Sequence, residues 1–176
     1  PNPAVLATFT QSTSVAGGAT AQVSNFSNLF TYNVSIGSTN STTTPTVEIN
    51  SSGLITVSGM SAGSTSSIIV TTSRTDYVTG MASLSLTSLR NGLSFSFATP
   101  TRFANGYTSR ISNYDPNFSY SITVLSTTSS TTPTPALSSN GSISVTTMTY
   151  GSATEISVTA TRIGYISKTE TLTANA

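Results

Sequence analysis

The chain contains itself twice. Ile68-Ile69-Val70-Thr71-Thr72-Ser73-Arg74-Thr75-Asp76-Tyr77 returns as Ile156-Ser157-Val158-Thr159-Ala160-Thr161-Arg162-Ile163-Gly164-Tyr165, each residue 88 positions further on. The same offset carries Phe9 to Phe97, Asn25 to Asn113, Pro45 to Pro133 and Gly53 to Gly141, without an insertion or deletion. Self-similarity at a fixed period marks neighbouring copies of one structural unit. The sequence therefore predicts two domains, 1–88 and 89–176. A unit of this length is near the lower limit for a self-sufficient core and is the size of a small β-sandwich.

Within each unit the apolar residues recur with period two, and no stretch holds a helical period. Val5–Phe9 alternates and reads as a first strand. Ser14–Gly18 reads as a turn in which Gly17 and Gly18 can take positive φ. Strands are expected at Ala19–Ser24, Phe30–Ile36, Val47–Asn50, Leu54–Val57, Ser66–Arg74 and Met81–Thr87. The second unit repeats this plan from Leu93. Val34, Ile55, Val57, Ile68 and Val70, with Ile122, Ile143, Val145, Ile156 and Val158, are the expected core. Leu54 to Ser142, Ser67 to Glu155 and Ala82 to Glu170 read as drift on the wet face. About seven short strands per unit, with turn residues between them, predict an all-β fold of two tandem immunoglobulin-like antiparallel sandwiches.

Composition excludes several functions. Six basic residues stand against five acidic ones, a net charge of +1, which is no footprint for nucleic acid or an anionic membrane. No apolar run is long enough for a membrane-spanning helix. Without cysteine there are no disulfides or thiolate metal sites. Without histidine the commonest general base and metal ligand is missing. Serine and threonine make up 69 of the 176 residues, so none stands out as a nucleophile. Asp76, Asp115, Glu48, Glu155 and Glu170 are scattered and do not share positions between units, unlike a calcium loop. The chain is thus expected to hold no catalytic, cofactor or metal site. Starting at Pro1-Asn2-Pro3 with no signal segment, it reads as a piece of something longer.

The residues singled out are Arg74, Tyr77, Arg162 and Tyr165. An arginine recurring on a surface nearly free of charge could bind a ligand carboxylate or glycan. The structural alternative, which the sequence favours, stacks each guanidinium on a nearby aromatic ring at a strand end, with the tyrosine tying the corner to the sandwich.

Three stretches carry a resemblance: Ile111-Ser112-Asn113-Tyr114-Asp115; Gly53-Leu54-Ile55-Thr56-Val57-Ser58-Gly59; and Thr71–Tyr77 followed by Gly80. They resemble tandem immunoglobulin-like repeats of very large bacterial cell-surface and adhesin-type proteins. The resemblance implies a secreted, extracellular stalk or spacer with further copies in cis. It departs at Thr146-Thr147, where the first unit has Ser58-Gly59, and at Asp76, where such repeats carry glycine as Gly164 does. Two alternatives use the same fold. One is a filament subunit whose Val5–Phe9 strand completes a neighbouring chain's sheet. The other is a glycan- or surface-binding module, in a cell-surface or a virion setting.

Overall fold

The computed structural model describes residues Pro1–Ala176 and contains fourteen β-strands and no helix. The chain divides into two compact units, Pro1–Asn91 and Gly92–Ala176. The first holds β1 (Thr13–Val15), β2 (Gly18–Gln22), β3 (Thr31–Thr39), β4 (Thr46–Ile49), β5 (Leu54–Ser58), β6 (Thr65–Ser73) and β7 (Gly80–Thr87). The second holds β8 (Thr101–Phe103), β9 (Gly106–Arg110), β10 (Ser119–Thr127), β11 (Thr134–Leu137), β12 (Ser142–Thr146), β13 (Ala153–Thr161) and β14 (Lys168–Asn175). All strand pairs are antiparallel. The first unit has one sheet in the order β1-β2-β5-β4 and another in the order β3-β6-β7. The second unit repeats these as β8-β9-β12-β11 and β10-β13-β14.

Alternation makes the core. Along β6 every second residue is buried, so Ile68 and Val70 point inward while Ser67 and Ile69 point out. They meet Ala19, Ala21, Ile55 and Val57 from the other sheet in a single cluster. The second unit builds its cluster from Ile143, Val145, Ile156 and Val158 in the same way. Eight of the ten expected core residues are buried. Val34 and Ile122 are half-buried, because β3 and β10 lie at the edges of three-stranded sheets.

The largest core side chain is one the repeat does not predict. Tyr107 is fully buried, and its hydroxyl donates to the Thr154 carbonyl (3.3 Å). Its counterpart in the first unit is Ala19. The missing volume is supplied there by Leu86, fully buried, where the second unit has Ala174. Thr154 is the register partner of Ala174, which places the swap at one spot in the core. The Thr72 hydroxyl, 2% exposed, is buried without a partner, whereas the second unit has Ala160 at that position.

Glycine relieves two close approaches in reciprocal fashion. A Cβ on Gly80 would sit 2.3 Å from the Val5 carbonyl oxygen; in the second unit the glycine is on the other segment, where a Cβ on Gly92 would sit 2.2 Å from the Ile166 carbonyl oxygen. Both β3 and β10 carry a bulge, between Ile36 and Ser38 and between Val124 and Ser126. The first unit fits Gly37 beneath Ile69; the second has Leu125 there, with Ser157 in place of the isoleucine.

Three sequence readings are corrected. Val5–Phe9 is not a regular strand: only an isolated bridge, Phe9 to Val23, pairs it with the sheet. Ser14 and Val15, read as part of a turn, belong instead to β1, and only Ala16 and Gly17 turn the chain, with Gly17 at φ 69°. Gly18 is needed for a different reason, since a Cβ there would lie 2.1 Å from the Val57 carbonyl oxygen. Finally, Ala82 and Glu170 are not on the wet face. Ala82 packs against the core, and Glu170, on the corresponding inner face of the edge strand β14, is half-exposed and reaches Lys168 at 3.5 Å.

Candidate functional site

The four singled-out residues form two matching corners. After β6 the Tyr77 N–H donates to the Arg74 carbonyl (3.2 Å), and after β13 Tyr165 does the same to Arg162 (3.1 Å). Asp76 at φ 67° and Gly164 at φ 81° occupy the third position of these turns. Positive φ there, with an ordinary second residue, is a type II turn, which favours glycine and tolerates aspartate better than most residues.

Each turn brings an arginine over two aromatic rings. Arg74 Cζ lies 5.5 Å from the Phe30 ring and 5.2 Å from Tyr77; Arg162 Cζ lies 5.6 Å from Phe118 and 4.8 Å from Tyr165. The rings beneath meet edge to face, at 5.2 Å for Phe30 and Tyr77 and 5.3 Å for Phe118 and Tyr165. A guanidinium held over aromatic faces within about 6 Å gains roughly 0.5–1 kcal/mol at exposed sites. Both arginines are exposed, so their outer faces remain open to water.

Sequence reasoning missed a second matched pair, Asn25 and Asn113. The Asn25 side chain accepts from the Thr8 N–H (3.0 Å) and donates to the Leu6 carbonyl (2.8 Å). Asn113 accepts from the Ser96 N–H (3.2 Å) and donates to the Ser94 carbonyl. One amide thus replaces a rung of backbone ladder. Together with the bonds from Thr10 N–H to Gln22 carbonyl (2.9 Å) and Ser24 N–H to Thr8 carbonyl (2.7 Å), it ties the opening segment to its own unit. The signal in the sequence was the shared offset of Asn25 and Asn113; a turn context rich in Asn and Ser concealed it.

The acids stay apart. Asp115 accepts from the backbone and side-chain N–H groups of Asn117 (2.9 and 2.8 Å), which lower its pKa, and the Arg162 charge lowers it further. Glu155 accepts from the Ser126 hydroxyl (3.2 Å), and Glu170 pairs with Lys168. No three of these carboxylates converge on a point where a metal could bind. In place of ion pairs, facing hydroxyls join adjacent strands: Thr65 with Thr87, Thr46 with Ser58, Thr159 with Thr169 and Thr123 with Ser157.

No protein-family model matches this sequence, and no curated protein sequence is recognisably similar to it. Among solved structures the chain is similar to the Yersinia pseudotuberculosis adhesin InvE, at 14% identity and a TM-score of 0.33. The match covers 94% of this chain and 59% of that one.

Proposed function

We propose that the chain is a pair of tandem immunoglobulin-like sandwiches serving as a non-catalytic, extracellular spacer of a bacterial surface or adhesin-type protein. The observation that carries this reading is the strand order. Each unit sets a sheet ordered first-second-fifth-fourth against one ordered third-sixth-seventh, which is the order of a constant-type immunoglobulin domain. The order recurs at the 88-residue period with most of the inward-facing aliphatic residues retained and the outer faces changed. That is the pattern of selection for fold and reach rather than for one reactive site. The chain's lack of histidine and cysteine supports a mechanical role. In this reading the arginine–aromatic corners stiffen strand ends, and the partners are further copies of the repeat in cis.

The asparagine clamps favour a spacer over a strand-exchanging filament. A segment destined for a neighbour's sheet gains nothing from two side-chain bonds that hold it in cis. Sedimentation and thermal unfolding of the 176-residue chain test this. The spacer reading expects a monomer at all concentrations, with both units unfolding as such. Concentration-dependent polymers that vanish when Pro1–Phe9 is deleted would establish the filament instead.

A further inference from the structure

A notch opens on the second unit between the start of β10 and the turn joining β11 to β12. Its volume is about 330 Å³, within the range of about 300–1,000 Å³ usual for small-molecule clefts. Tyr114, Phe118, Tyr120 and Leu137 form its floor. Tyr114 and Tyr120 are stacked with centroids 4.9 Å apart, and Phe118 is braced edge-on by Tyr165, so the floor is preformed. Ser119, Ser138 and Ser139 form an exposed rim.

The hydroxyls decide what could bind. That of Tyr120 is spent, accepting from the Asp115 N–H (3.0 Å) and donating to the Asp115 carbonyl (3.2 Å). Those of Tyr114, Ser119, Ser138 and Ser139 take no partner within the protein. No lining residue carries a charge. An ion entering the notch would find no charged side chain lining it, since the Arg162 guanidinium over the Phe118 ring is not among the lining residues. A purely apolar group would leave the rim hydroxyls unsatisfied.

The first unit does not repeat this chemistry. Phe26 replaces Tyr114 and brings no hydroxyl. Asn50 replaces Ser138, and its side-chain oxygen is already taken by the Ser52 N–H (3.0 Å), the Ser52 hydroxyl (2.8 Å) and the Leu54 N–H (2.9 Å).

We propose that this notch binds a neutral, polyhydroxylated ring, the terminal pyranose of a glycan. Its hydroxyls pair with those of Tyr114 and the three serines, and its C–H face covers Leu137 and the ring edges. Hydroxyls both donate and accept, so two such sets can satisfy each other without a buried charge. The proposal stands apart from the spacer reading, since a spacer needs no ligand.

Amide chemical shifts of the ¹⁵N-labelled 176-residue chain provide the test. The probes are the methyl β-pyranosides of glucose, galactose and N-acetylglucosamine, with cyclohexanol as an apolar ring of similar size. The expected result is a saturable shift with at least one glycoside at Ser119, Ser138 and Ser139, while Thr31, Asn50 and Ser51 stay still. Tyr114→Phe and Ser138→Asn install residues that the first unit already accommodates. Each should weaken binding by about fivefold, the worth of one neutral hydrogen bond. Three outcomes would each overturn the proposal: no saturable shift with any glycoside, equal shifts in both units, or cyclohexanol binding as tightly as the sugars.

Discussion

At the turn after β5 the first unit places Gly59 at φ 73°, and the second places Thr147 at φ 62°. At the corner after β6 the assignment reverses, with Asp76 at φ 67° in the first unit and Gly164 at φ 81° in the second. Each unit therefore carries one residue in a left-handed conformation that glycine would adopt more easily, at a different turn. For threonine, branched at Cβ, this is a genuine strain. The surroundings hold it in place: the Thr131 hydroxyl donates to the Thr147 carbonyl, as the Thr43 hydroxyl does to that of Gly59. The backbone path is set by the sheets on either side, and local preference yields to it.

The widest divergence between the units is at Tyr107, and breaking it should have the largest effect. Tyr107→Ala would empty the centre of the second core and cost that unit about 3–5 kcal/mol. Adding Ala174→Leu restores the first unit's arrangement and should recover a large part of the loss. Denaturant unfolding, followed separately in each unit, measures both, with the first unit's transition unmoved.

Alkaline titration sharpens the same contrast. Burial pushes the Tyr107 pKa up to about 12, against about 10 for an unfolded tyrosine. The neutral form is thus favoured by folding. The contribution is fully present below pH 10 and is lost as pH rises through 12, an effect of roughly 2–3 kcal/mol once ionisation is complete. The first unit has Ala19 in this place and should show no such loss from it. Absorbance of ionised tyrosine, compared with the loss of the second unit's fold, checks it.

The opening segments differ in anchoring. The first unit inserts Ala7 where the second inserts Phe95, which packs edge-on against Phe97 and Tyr120. Asn25→Ala and Asn113→Ala each remove two hydrogen bonds at exposed positions, so a loss of about 1 kcal/mol is expected. The first unit's segment should loosen further, because less apolar surface holds it. Hydrogen exchange at the Thr8 and Ser96 amides reads this directly. The smallest effects belong to the turns. Thr147→Gly should stabilise the second unit by up to about 1 kcal/mol, after the entropy of the unfolded glycine is offset. Asp76→Gly should gain less, because aspartate tolerates positive φ better.

Strand positions were legible because alternation appears twice at one offset, and the arginine–aromatic corners because strand end, cation and ring recur together. Other features were hidden for physical reasons. β1 is three residues long and two of them are polar, too short to show a period. Val5–Phe9 alternates as a strand does, but an asparagine side chain supplies bonds that a sequence pattern assigns to backbone. Tyr107 lies in Gly-Tyr-Thr-Ser-Arg, whose single large apolar residue suggests nothing by itself. Only its pairing with Ala174, far along the chain, explains it. Glu170 looked like a surface residue because charge usually is; its edge position and Lys168 let it occupy an inner face.

Neighbouring copies of one fold face a hazard during synthesis, since a strand from one can join the unfinished sheet of the next. The exchange of Ala19 and Leu86 for Tyr107 and Ala174 works against it. A hybrid built from the first unit's second strand and the second unit's last strand would bring Ala19 to Ala174 and enclose a void. The opposite hybrid would force Tyr107 onto Leu86 and overfill the same space. Each copy thus recognises its own strands by volume. Two units whose strands coincide one for one are told apart in this way by how their interiors are filled.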